Sequence, residues 1–175
     1  WVFFFDYDLD GRSDFLQANG HIEDQISVVQ ASQHYEQAAQ LFWNRGGNGT
    51  TFIPVDDRKV GDLSRPIVGR GAAYADMDAD GDLDVVLTQI GGTPLLLRNE
   101  QALGNHWVRI RLRGPSPNSE AIGALVELTA GGVTQRRLVM PSRSYLSQVE
   151  LPVTFGLGAA TQIESLRIRW PDGRV

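Results

Sequence analysis

Two nine-residue stretches constrain this chain more than anything else in it. Residues 6–14 read DYDLDGRSD and residues 76–84 read DMDADGDLD, 70 residues further on. Asp6, Asp8, Asp10 and Asp14 hold positions 1, 3, 5 and 9 of the first stretch. Asp76, Asp78, Asp80 and Asp84 hold the same places in the second, Gly81 matches Gly11, and Asp82 adds a ninth carboxylate. Carboxylates a few ångströms apart repel by roughly 1 kcal/mol per pair even in water. Such a loop needs a compensating positive charge. The flanks rhyme too: FLQANG and VVLTQIGG follow the two copies, then LFWNRGG and LLLRNE. A repeat on this scale makes each copy one supersecondary unit.

Calcium supplies the compensation. It is a hard cation that takes six to eight oxygens, and D-x-D-x-D-G turns alternate carboxylates inward around a sharp glycine bend. An EF-hand would close the shell with a Glu at loop position 12, between two helices. Here position 12 is Gln17 or Leu87, and the flanks are short strand-like runs. The loops are therefore expected to close with Asp14 and Asp84, with the main-chain carbonyl of Arg12 or Asp82 filling a gap. That gives two Ca²⁺ sites. The plainer alternative is a pair of Asx-turns whose aspartates only cap backbone donors. It leaves four aspartates at one spacing, twice over, without a reason.

Composition bounds the rest. The 175 residues suit one or two domains, with 42% hydrophobic content to build a core. Formal charge is −5, and the four charges of two calcium ions would leave −1. There is no cysteine, so disulfides and thiolate metal sites are excluded. No apolar run reaches the length of a membrane span. Weak calcium loops suit millimolar free calcium, which points to an extracellular, cell-surface or periplasmic setting. The sequence opens at Trp1 in a strand-like run and stops at WPDGRV, and it reads as a fragment. Charge divides it near NEQALGNHW: residues 1–105 carry sixteen acidic and seven basic groups, residues 106–175 five acidic groups and nine arginines.

Strands are expected at Val2–Phe5, Phe15–Ala18, Leu41–Asn44, Thr51–Pro54, Ala72–Ala75, Leu83–Thr88 and Pro94–Arg98, with NRGGNGT as a hairpin turn. Residues 21–40 show no firm period and read as a structured loop. In the second half WVRIRLRG alternates: Val108, Ile110 and Leu112 face one way, Arg109, Arg111 and Arg113 the other. LRIRW repeats this, with Leu166, Ile168 and Trp170 inward. Glycine-rich turns separating ALVELTA, TQRRLVM and VELPVTF suit an antiparallel sandwich with one wet face. The fold class is all-β.

The first hundred residues resemble the FG-GAP/VCBS repeats of calcium-binding β-propellers of the integrin-α type. FFDYDLDGRSDFLQANG, LFWNRGGNGTTF and RGAAYADMDADGDLDVVLTQIGG carry that match. The remainder resembles the ASPIC/UnbV domain that follows such repeats in cartilage-acidic-protein-like chains, on NHWVRIRLRG, IGALVEL, SYLSQ, FGLG and RWPDG. The resemblance implies terminal propeller blades over residues 1–104 and a small β-sandwich over 105–175. It also implies a seven-bladed ring whose N-terminal blades are missing, so the fragment must rest on those blades or on a larger assembly. MPSRSYLS departs from the family, which has glycines before Ser-Tyr-Leu-Ser, and leaves the turn geometry there open.

Function is harder to read. His21, His34 and His106 have no motif partner, SYLS lacks a G-x-S-x-G elbow, and Ser144 and Ser147 suit turn or edge-strand hydroxyls. His106 and Trp107 are expected to anchor the second domain, and His21 to fix the loop beside the first acidic stretch. The chain is expected to be a non-catalytic, calcium-stabilised scaffold or adhesion module. The alternative is the accessory end of a secreted enzyme whose chemistry lies upstream. Calcium binding is expected to be weak, and chelation to loosen the first half selectively. If their strands are neighbours, Arg109, Arg111, Arg113, Arg167 and Arg169 form a basic strip. Such a strip would attract an anionic polysaccharide, lipid headgroups or the acidic first half itself. Local pairs to Glu127, Glu150 or Glu164 are the plainer outcome. Nucleic acid fits poorly with an acidic chain lacking interleaved aromatics.

Overall fold

The computed structural model describes residues 1–47, 49 and 51–175. Strand β1 (Val2–Phe5), β2 (Asp14–Gln17), β3 (Gln40–Asn44) and β4 (Phe52–Pro54) form one antiparallel meander in chain order. Strand β5 (Gly69–Ala75), β6 (Asp84–Gln89) and β7 (Leu95–Leu97) form a second. The strands lie within two or three residues of their expected bounds. Asn48 and Thr50, part of the expected hairpin turn between β3 and β4, lie outside the described residues. Residues 18–39 hold one four-residue helical turn, Ile26–Val29, with no capping side chain and no buried residue. Two 3-10 turns, Asp57–Lys59 and Gly61–Ser64, link the sheets and had no sequence signal.

Period-two alternation explains how the meanders pack. In β1, Phe3 and Phe5 are buried while Val2 and Phe4 are exposed. Phe3 and Phe5 meet Leu16 and Leu41 of their own sheet and Ala72, Val85 and Leu87 of the other, so the sheets share one core. Tyr74 of β5 sits 5.2 Å from Phe3 and 5.8 Å from Phe5, ring to ring. The opposite face of the first sheet is also aromatic. Phe15 lies 5.5 Å from Phe4, 5.0 Å from Phe42 and 6.0 Å from Phe52, and Phe4 is 55% exposed.

The second half contains β8 (His106–Ile110), β9 (Leu125–Ala130), β10 (Val133–Leu138), β11 (Ser142–Ser144), β12 (Ser147–Gln148), β13 (Val153–Gly158) and β14 (Ile163–Arg169). They assemble as a sheet β10-β9-β14, a pair β13-β8 and a hairpin β11-β12, all antiparallel. Gly131 and Gly132, both at positive φ, close β9 onto β10 in the two-residue turn that such torsions favour. Val126, Leu128, Val139 and Phe155 centre a separate core. The chain is thus all-β, in several antiparallel sheets around two cores.

Two expectations are corrected here. β8 pairs with β13 and β14 with β9, so the arginines of the two strands lie in different sheets and form no common strip. Arg111 and Arg113 fall beyond the end of β8 and both reach Glu120, while Arg167 stands opposite Glu127. Leu166 is 48% exposed, whereas Ile168 and Trp170 do pack on the core. The SYLS segment, left open in sequence, is the β11-β12 hairpin, with Leu146 in the left-handed region. It leaves its own core and docks on the first half. Tyr145 stacks on Trp1 with ring centroids 5.0 Å apart, and the Ser147 hydroxyl accepts from the Ala72 N–H at 3.3 Å.

Candidate metal centres

The two acidic stretches are the loops between β1 and β2 and between β5 and β6, the first two strands of each meander. They adopt one backbone conformation twice. Leu9 and Ala79, each at loop position 4, have φ of 57° and 64°, and Gly11 and Gly81, at position 6, have 92° and 97°. A non-glycine residue in the left-handed region is strained, and the same strain at two equivalent positions marks a constrained loop. The braces match as well. Asp14 accepts from the N–H of Tyr7 at 3.1 Å and of Asn44 at 2.8 Å; Asp84 accepts from Met77 at 3.0 Å and Asn99 at 2.9 Å. Asp10 accepts from the Arg12 N–H and Asp80 from the Asp82 N–H, at 2.8 and 3.0 Å.

Carboxylates converge in both loops. Ligand oxygens of Asp6, Asp8 and Asp14 lie within 4.8 Å of one another, as do those of Asp76, Asp78 and Asp80. The first group is buried, Asp14 completely, while Asp78 and Asp80 are exposed. Asp6 Oδ1 and Asp76 Oδ1, the equivalent first positions, are buried and accept no hydrogen bond from any described residue. Burial pushes Asp6 up to about 7, with Asp10 and Asp8 adding to it and Arg137 opposing. Burial likewise takes Asp14 to about 8 and Asp82 to about 6. An all-oxygen donor set with a buried, unpartnered carboxylate oxygen in each copy fits a hard divalent cation of calcium's kind. Asp14 and Asp84 keep lone pairs for an ion while bracing the loop.

Other expected ligands are placed less directly. Asp10 pairs with the Arg12 guanidinium, whose Nε donates to the Asn44 carbonyl at 2.8 Å. Asp78 pairs with Arg98 at 2.6 Å, and Asp82 accepts from Gln101 Nε2 at 2.9 Å. Sequence reasoning missed the clamps Asn44 and Asn99. Their signal was the shared asparagine that ends LFWN and LLLRN.

The acidic first half was one partner expected for the arginines, and both loops do lie against the second half. Gly156 of β13 packs on the Leu9 backbone and Asp6, Gly158 N donates to the Leu9 carbonyl at 3.0 Å, and Asn105 Nδ2 to the Asp8 carbonyl at 2.7 Å. Arg137 stands 4.0 Å from Asp6. On the second loop the Trp107 indole covers Gly81, and Arg109 Nη1 reaches Asp76 at 2.9 Å while also pairing with Glu150. The acidic half of the chain is thus the partner that Arg109 meets. His106 and His34 are exposed, and His21 holds only the neighbouring backbone of Glu23.

The raised carboxylates carry a pH prediction. In the metal-free folded chain Asp6 and Asp14 hold protons that the unfolded chain releases near pH 4. Folding stability from these groups is present at low pH and is lost as pH climbs through 7 to 8. A divalent ion competes with those protons. The calcium-induced rise in urea midpoint is therefore expected to be larger at pH 8 than at pH 5, and equal rises contradict the expectation.

The comparisons fit this architecture. Residues 114–175 match the family model described as ASPIC and UnbV. The chain is similar to cartilage acidic protein 1 of Xenopus tropicalis, with 30% identity over 168 residues, 85% of this chain and 26% of that protein. The Mus musculus protein of the same name is 31% identical over 171 residues, again 85% of this chain and 26% of the relative. The Homo sapiens one is 28% identical, over 85% of this chain and 25% of the relative. The chain spans about a quarter of the length of these curated relatives. Among the described residues no helix is long and apolar enough to cross a membrane.

Proposed function

We propose that the chain is part of a non-catalytic, extracytoplasmic scaffold stiffened by two calcium ions. The carrying observation is the duplicated loop, with one strained backbone and one buried, unpartnered Asp oxygen in each copy. Asp6, Asp8 and Asp14 would hold one ion and Asp76, Asp78 and Asp80 the other, with Asp10 and Asp84 within the same loops. The ion's contribution is structural: it removes carboxylate repulsion and fixes the bend between two strands.

In this reading the two meanders are the last blades of an FG-GAP/VCBS-type β-propeller. The aromatic face of Phe4, Phe15, Phe42 and Phe52 then meets the preceding blade, and the greater length of the relatives leaves room for one. Their name places the relatives in cartilage, which suits an extracellular setting rich in calcium. The arginines do not form a common strip, so the scaffold's partner in this reading is a protein surface before a polysaccharide. Ser147 is engaged with backbone on both sides, donating to Tyr145 and accepting from Ala72, which suits a structural hydroxyl.

Scanning calorimetry of the metal-stripped chain tests the ion's role. Calcium is expected to raise the melting temperature well beyond magnesium at equal concentration, since magnesium demands stricter octahedral geometry and keeps its waters. Equal effects of the two ions would reduce the loops to general charge screening.

A further inference from the structure

Between the two halves lies a partly open cavity of about 160 Å³. Arg137 enters it from β10, Arg143 from β11, Thr154 from β13 and Tyr74 from β5, with Asp6 and Glu150 also on its wall. The charges there do not balance. Glu150 is paired with Arg109, and Asp6 is the only described carboxylate near Arg137, at 4.0 Å. Arg143 forms no ion pair with a described carboxylate. One end of its guanidinium donates to the Leu138 carbonyl at 2.7 Å, while its Nε is buried without a partner. Thr154 Oγ1, on the same wall, is likewise buried and unpartnered.

A buried guanidinium N–H and a buried hydroxyl with no acceptor are costly to leave unmade. We propose that this cavity binds a single oxyanion group, a carboxylate or a sulfate, held by Arg143 and Thr154 with Arg137 as the second cation. The planar N–H array of arginine matches such groups. A cavity of about 160 Å³ has room for one small acid or for the acidic group of one sugar. The site is separate from the calcium loops apart from Asp6. An ion on Asp6 would free Arg137 further, but the site does not require it.

The test is titration calorimetry of the calcium-saturated 175-residue chain with sodium sulfate, acetate and glucuronate at constant ionic strength against sodium chloride. Saturable binding at one site per chain is expected, weakened about tenfold or more in Arg143→Gln. The near-isosteric Thr154→Val, which keeps the charge and the packing volume, should weaken it as well, and Arg111→Gln should leave it unchanged. Sulfate as the tightest probe assigns the site to sulfate. Glucuronate binding more tightly than acetate assigns it to an acidic sugar. No saturable binding of any probe, or equal binding in wild type and both variants, overturns the site.

Discussion

Adding one methyl group at Gly156 is expected to be among the most damaging single changes in the chain. Gly156 lies on β13 inside the second half, yet a Cβ there would overlap the Leu9 backbone and the Asp6 carboxylate of the first acidic loop. The obstructing atoms are mostly backbone, and the loop that owns them is already held at Leu9 and Gly11 in left-handed torsions. Retreat by rotamer change is closed, so Gly156→Ala is expected to cost about 3 kcal/mol, the upper end for overpacking. Gly81→Ala should do comparable harm by a different route. Its φ of 97° suits only glycine, and the Trp107 indole lies where the methyl would go. Here a partner can be removed. Trp107→Ala in the Gly81→Ala background should recover part of the loss, while the same rescue is not expected for Gly156→Ala. Urea midpoints of the single and double variants decide this, and a full-strength Gly81→Ala alone in the range of wild type contradicts the packing described.

The second large effect is that of chelation. As calcium sites of the proposed kind the two loops would bind at about 10⁻⁴ to 10⁻³ M, and 10 mM calcium acting on both would then supply roughly 3–5 kcal/mol. For a chain of this size each kcal/mol moves the melting temperature by about 2–4 °C, and chelation should lower it by about 10 °C. The loss should reach both halves. Gly156, Gly158, Asn105 and Trp107 of the second half rest on the loops themselves. Hydrogen exchange with and without calcium is expected to show β8 and β13 loosening along with β1 and β5. Exchange confined to residues 1–104 would restore the expectation of a selective effect.

That revision marks where the sequence stopped being legible. The acidic repeat announced itself by spacing alone, and the strands by alternation, because both are local properties of a few consecutive residues. Alternation also said that Arg109 faces away from its own core, which is so. It could not say that the far side of that strand is the acidic loop rather than water, since a solvated face and a face against an oppositely charged partner have the same pattern. Leu166 failed for the same reason in reverse: its apolar character fitted the inward set, yet it remains exposed. Gly156 carried no signal at all, because the close approach of Leu9 depends on residues nearly 150 positions away. The arginine strip rested on a neighbour relation between β8 and β14, and sheet order is a tertiary choice that strand patterns do not encode.

The central claim is that the duplicated loops are calcium sites, and one titration tests it most directly. Calcium added to the metal-stripped chain in a calorimeter is expected to bind at two sites per chain, with dissociation constants in the range of about 10⁻⁴ to 10⁻³ M. Asp8→Ala should remove one site and Asp8→Ala with Asp78→Ala both. Heat release that is the same in the double variant as in the wild type would contradict the account.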